Sequence, residues 1–238
     1  NNFSCVRRRV FDGSFLDFPT MSNAIELYPY QKNAVARILF TPNTLLAHDV
    51  GSGKTYIMIA AGMELKRMEL SSKNLYVVPN NIVGQWKNIF TCMYPNAKLL
   101  CVEPKHFTKQ KREAVLEKIR DEDFDGIIMA CSCFEQIPLS KDFYMEELQE
   151  TKDKIKELAS NSKKATSKLS KKQEAISKAL SELSVAIDDM YNTVYFDELG
   201  ITRLFVDEAH NYKNVPIETK ADKVLGISSS GSKKCRDM

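Results

Sequence analysis

Five short apolar runs, Thr44 to Ala47, Asn74 to Val78, Lys98 to Val102, Gly126 to Ala130 and Arg203 to Val206, constrain most of what this chain can fold into. Each is four or five residues long, too short for a stable helix, and helical-looking segments such as Lys54 to Glu69 and Asn81 to Cys92 lie between them. Continuous apolar runs are what strands buried on both faces require. The pattern predicts an α/β fold, a doubly wound parallel sheet flanked by helices, whose ligands bind beyond the carboxyl ends of the strands. Leu45, Val77, Ile128 and Phe205 are its expected core. Pro29 at a first helical position predicts a further helix running to Phe40, with Val35, Ile38 and Leu39 on one face.

The 238 residues suit one large domain, or a domain with an appendage. With 43% apolar residues and nine glycines the composition is neither disordered nor fibrous. No run approaches the roughly 18 apolar residues of a membrane-spanning helix, so such a span is excluded. The six cysteines are scattered, with no CxxC pair and no histidine at metal-ligand spacing, and read as reduced intracellular thiols. Cys131 and Cys133 read as packing. The opening Asn-Asn-Phe-Ser-Cys lacks an initiator Met and a signal core, which suggests a start inside a longer chain.

Residues 1–26 form an expected N-terminal arm. Its Arg7, Arg8 and Arg9 read as a solvated turn, with phosphate contact as the alternative. One segment, 141–190, breaks the alternation: it has no Gly or Pro, and Ala175, Ile176, Ala179, Leu180, Leu183, Ile187 and Met190 fall at helical spacings. Two long helices turning near Ser160 to Lys164 would make an inserted hairpin. Between Thr151 and Leu180 nine Lys face three acidic residues, a local +6 in a chain whose net charge is +3. Such a face is ordinarily solvated surface, and contact with a phosphate backbone is the sharper alternative. The core would then comprise residues 27–140 and 191–238, interrupted by the hairpin.

The chemistry concentrates in two places. His48-Asp49-Val50-Gly51-Ser52-Gly53-Lys54-Thr55 lies between an expected strand and an expected helix, the context of a P-loop. Gly51, Ser52 and Gly53 allow the tight turn that aims backbone N–H groups at phosphates, Lys54 reaches their outer oxygens, and Thr55 offers a hydroxyl to Mg²⁺. The full pattern places Gly where His48 stands, so the match is to the shorter core. Leu204-Phe205-Val206-Asp207-Glu208-Ala209-His210 is an apolar strand ending in two acids. Asp207 there can hold Mg²⁺ and Glu208 can deprotonate an attacking water, although acidic residues also favour a helix start. Together the two motifs describe phosphoryl transfer to water.

The sequence resembles the superfamily two helicases, and Lys213-Asn214 after the Asp-Glu-Ala-His run is similar to the Swi/Snf-type DNA translocases. Leu27-Tyr28-Pro29-Tyr30-Gln31 resembles their glutamine motif, which implies that Gln31 reads adenine. Val78-Pro79-Asn80 with Gln85-Trp86, and Ser132 with Phe134-Glu135, resemble segments that contact nucleic acid. The closest likeness is to the helicase-like region of large bacterial mobile-element and phage proteins, often joined to an adenine-specific DNA methyltransferase. It implies a cytoplasmic, bacterial or phage setting, a RecA-like ATPase lobe, ATP and Mg²⁺ as cofactors, and DNA as partner, duplex more than single-stranded. His210 would couple the ATP site to the family's third motif. The chain stops before that motif and before the second RecA-like lobe with its arginine fingers, so weak ATP binding and nearly no hydrolysis are expected of it alone.

His48 and His106 are left outside the catalytic set, and Trp86 is expected to pack beneath its motif rather than stack on a base. A second reading makes the module an ATP-dependent switch or scaffold that recruits DNA or a protein without appreciable hydrolysis. A kinase or GTPase fits less well: Asp207-Glu208 and Lys213-Asn214 would have no role, and no Asn-Lys-x-Asp base-reading motif is present.

Overall fold

The computed structural model describes residues 11–140, 146, 149, 153 and 194–212. Outside the described residues lie Arg7 to Arg9, Cys5, Cys235, Lys213-Asn214 and, apart from Glu146, Gln149 and Asp153, the hairpin expected over 141–190. The chain divides into two compact units, Asn1–Gln136 with Gly200–Met238, and Ile137–Leu199. In the second, Phe196–Leu199 forms a single 3-10 turn, and Phe196 N donates to Pro138 O at 2.9 Å.

The first unit holds a four-stranded sheet in the order β2-β3-β1-β4, every pair parallel. The strands are β1 (Asn74–Val78), β2 (Leu99–Val102), β3 (Gly126–Ala130) and β4 (Arg203–Val206). Central β1 and β3 are buried at every position, and their register pairs Val78 with Ala130. Each fully buried Val, Leu or Ile in them contributes about 1.5–3 kcal/mol. Edge strands β2 and β4 are only partly buried.

Helix α1 (Pro29–Phe40) starts as its Pro predicts, with Tyr28 extended before it and Gln31 Oε1 accepting from Tyr28 N at 2.9 Å. It ends just before Pro42, which disfavours helical geometry in the residue ahead of it. Helix α2 (Lys54–Arg67) buries Ile57 to Gly62 without a break and packs against α1. Helix α3 (Val83–Met93) follows a 3-10 turn at Asn80–Ile82 and turns Val83, Trp86, Phe90 and Met93 inward at helical spacing. Helix α4 (Arg112–Asp121) leads into β3, and a single turn, α5 (Cys131–Phe134), follows it. Within residues 11–26, Leu16 and Phe18 are buried, and Ser22 N donates to Met93 O at 2.7 Å.

One expected strand does not form. Thr44 to Ala47 carries no ladder, and Leu45, an expected core residue, is 74% exposed. The run is apolar, and among the described strands β4 pairs only with β1, but Thr44 to Ala47 lies across a cleft from β4 and does not add to its open edge. Val77 and Ile128 are fully buried as expected, and Phe205 is half-buried, stacked on Tyr76 at 4.9 Å.

Tyr76 organises the core. Phe205, Phe90 at 5.5 Å and Trp86 at 5.8 Å surround its ring, and α2 comes so close that a Cβ at Gly62 would sit 1.9 Å from its hydroxyl. Gly62→Ala is therefore expected to cost about 1–3 kcal/mol despite Ala's better helix propensity. Part of that cost should disappear in a Tyr76→Phe background, a coupling that a double-mutant cycle in denaturant measures.

Candidate functional site

The loop from Asp49 to Gly53 turns through two left-handed glycines, Gly51 at φ +82° and Gly53 at φ +73°. A side chain at Gly53 would strain the left-handed backbone, and its Cβ, 2.5 Å from Gln31 Nε2, would push that amide aside. Ile57 N donates to Gly53 O at 3.2 Å and opens α2. The Lys54 ammonium folds back onto the loop, donating to His48 O at 3.0 Å and Asp49 O at 3.1 Å. Ser52 O accepts from Tyr30 Oη at 2.9 Å and Gln31 Nε2 at 3.1 Å. His48 Nδ1 and Ser52 Oγ are buried without a partner, polar groups that a ligand in the loop could satisfy.

Gln31 is 5% exposed, with both ends of its amide engaged by Tyr28 N and Ser52 O. It braces the loop. Tyr30 joins that brace: it stacks on Tyr28 at 5.8 Å and lies edge-on to His48 at 6.1 Å. The adjacent Tyr-Pro-Tyr before Gln31 is the sequence trace of this brace, but it does not reveal where the phenol bonds.

The second motif follows β4. Asp207 N donates to Val77 O at 2.9 Å, carrying the parallel pairing one residue past the strand. Its carboxylate accepts from Glu208 N at 3.0 Å on Oδ1 and from Trp86 Nε1 at 3.3 Å on Oδ2. Glu208 stands at φ +55°, left-handed and unfavourable for a residue with a Cβ. Its carboxylate lies 3.0 Å from His210 Nδ1, both side chains more than half exposed.

Lys54, Asp207, Glu208 and His210 line one cleft of about 460 Å³, walled by β4 and the Thr44 to Leu46 segment. A cation, two carboxylates and an imidazole thus converge beyond the carboxyl end of a parallel strand. Gln31, Thr55, Pro79, Asn80, Gln85, Ser132 and Phe134 are not among its lining. The last five follow β1 and β3, with Pro79 and Asn80 at the turn after β1, Gln85 in the first turn of α3, and Ser132 and Phe134 in α5, and the Val78 to Ala130 register brings these segments side by side. Ser132 N donates to Asn80 Oδ1 at 3.2 Å and ties these segments together. Asn80 and Gln85 are exposed, while Pro79, Ser132 and Phe134 are half-buried. Beside them Cys133 is fully buried, and burial raises its thiol pKa, which suits packing rather than nucleophilic chemistry.

Among the described residues no cluster of three or more His, Cys, Asp or Glu side chains could hold a metal by itself, and no helix is long and apolar enough to cross a membrane. The cleft does hold hard oxygen donors in the carboxylates of Asp207 and Glu208, and the Thr55 hydroxyl follows Lys54 at the start of α2. That donor set fits Mg²⁺, a cation that takes one or two protein oxygens and completes its shell with phosphates and water.

A family described as probable helicase domain has a sequence model that matches residues 39–238. No curated protein matches the chain. Among solved structures it is similar to the Sulfolobus solfataricus SWI2/SNF2 ATPase core in complex with dsDNA, with 21% identity and a TM-score of 0.41. That likeness covers 51% of this chain, and the chain spans 24% of the other.

The left-handed Glu208 should reverse the usual order of small substitutions. Glu208→Gly is expected to be more stable than Glu208→Ala by about 1 kcal/mol, because only glycine adopts that backbone without a steric cost. Thermal or denaturant unfolding of the two variants checks it.

Proposed function

The chain belongs to the probable helicase domain family, and we propose that it is the ATP-binding first lobe of a DNA translocase or helicase, moving on duplex more than on single strands. The observation that carries this reading is the convergence of Lys54, Asp207 and Glu208 on one cleft beside a loop turned by two left-handed glycines.

Lys54 already holds two backbone carbonyls, and it would exchange them for the β- and γ-phosphate oxygens of ATP. The backbone N–H groups of residues 51–55 would cradle the same phosphates at the start of α2, where the helix dipole favours negative charge. Thr55 and Asp207 would hold Mg²⁺, which when bound neutralises charge building on the phosphates. Glu208, released from His210, would take a proton from the attacking water as its oxygen bonds the γ-phosphorus and the bond to the β-phosphate oxygen breaks. His210 couples the state of the site to its surroundings through that contact. For Gln31 to read adenine, its amide must leave Ser52 O.

Pro79, Asn80, Gln85, Ser132 and Phe134 would contact the nucleic-acid backbone from the segments that follow β1 and β3. A second RecA-like lobe would supply arginine fingers worth roughly 10³ to 10⁵ in rate. Residues 141–190 would form a Lys-rich hairpin inserted between the two parts of the lobe, 27–140 and 191–238. The Lys-rich stretch ahead of Asp207 supports a place among mobile-element and phage proteins, some of them joined to a DNA methyltransferase.

The test is ATP turnover by this chain joined to a second lobe, with and without duplex and single-stranded DNA. Stimulation by duplex is expected, with Glu208→Gln retaining ATP binding while turnover falls to background. Turnover that stays at background with every nucleic acid, while ATP still binds, replaces the motor reading with that of an ATP-dependent switch or scaffold.

A further inference from the structure

Trp86 is the one tryptophan of the chain and is 1% exposed, as packing beneath its motif requires. Packing does not explain where its N–H goes. A buried indole N–H needs an acceptor, and a backbone carbonyl would serve. Instead Nε1 donates to Asp207 Oδ2 at 3.3 Å, across 121 positions of sequence. The ring is held against Tyr76, itself fully buried, at 5.8 Å, so the donor is fixed in place. The other oxygen, Oδ1, is held by Glu208 N at 3.0 Å. A carboxylate pinned through one bond on each oxygen cannot rotate about its terminal torsion, yet each oxygen keeps acceptor capacity for a hydrated cation.

We infer that Trp86 is a positioning residue for Asp207: its N–H fixes the orientation of the carboxylate and thereby sets the affinity of the site for Mg²⁺ without touching the ion. This rests on the reading of Asp207 as a metal-holding group. Partners that orient a ligand in this way typically change metal affinity by about 10–100-fold when removed.

The experiment titrates Mg²⁺ into the chain in the presence of a fluorescent ATP analogue, for the wild type, Trp86→Phe and Asp207→Asn. Phenylalanine keeps an aromatic ring in the pocket and has no donor. Trp86→Phe is expected to raise the Mg²⁺ concentration for half-maximal nucleotide binding by roughly 10–100-fold, with affinity in the absence of Mg²⁺ unchanged. A purely structural role would lower stability and weaken both alike, and that result overturns the proposal. A normal Mg²⁺ requirement in Trp86→Phe beside a raised one in Asp207→Asn also overturns it, while leaving the ATP-site reading intact. An unchanged requirement in both variants removes Asp207 from the metal, and the proposal falls with that reading. Should Trp86→Phe not fold, the wild-type emission decides. As the sole tryptophan, Trp86 is expected to change its fluorescence when Mg²⁺ joins the ATP-bound chain and not in Asp207→Asn. An emission indifferent to Mg²⁺ in the wild type overturns the positioning role.

Discussion

The hydrogen bond from Asp207 N to Val77 O, 2.9 Å long, is the rung on which the candidate site depends. It continues the pairing of β4 with β1 one residue past β4, so the acid leaves the sheet in a fixed direction instead of at the start of a free loop. Everything behind it is there to hold β1 still. The strand is buried at all five positions, and the Tyr76 ring at its centre is enclosed by Phe205, Phe90 and Trp86. A parallel sheet this deeply buried leaves its strand ends as the places where polar groups can emerge, and the two acids and the segments after β1 and β3 emerge there.

Strain and polar constraint gather at the same end. Glu208 is left-handed, and Gly51 and Gly53 are left-handed where a Cβ on Gly53 would strike Gln31. His48 Nδ1 and Ser52 Oγ are buried without partners. None of this serves the core, which is why a ligand-binding role is its simplest physical account. Groups outside the cleft reach its loop and acid through hydrogen bonds, Gln31 and Tyr30 to Ser52 O and Trp86 to Asp207, while Asn80 and Ser132 bond only to each other across the segments after β1 and β3.

Much of the fold was legible in the sequence. β1, β3 and β4 form over the apolar runs that predict them, and Pro29 starts α1 where its fixed φ suits a first turn. Thr44 to Ala47 forms no strand because apolarity reports burial potential and not whether a ladder closes: a cleft separates the segment from the open edge of β4, and Leu45 is left exposed. The site was legible as residue types at the right spacing, with Lys54, Asp207 and Glu208 meeting in one cleft. Its fine structure was not. The amide of Gln31 is spent on the backbone, and the indole of Trp86 bonds a carboxylate 121 positions away, contacts that no local pattern encodes.

The central claim is that this cleft takes the triphosphate of ATP. A crystal structure of the chain with a non-hydrolysable ATP analogue and Mg²⁺ tests it most directly. The account predicts Lys54 Nζ withdrawn from the carbonyls of His48 and Asp49 and bonded to phosphate oxygens, with the triphosphate at the start of α2. An analogue bound elsewhere, or Lys54 still folded onto its own loop with the ligand present, would contradict it.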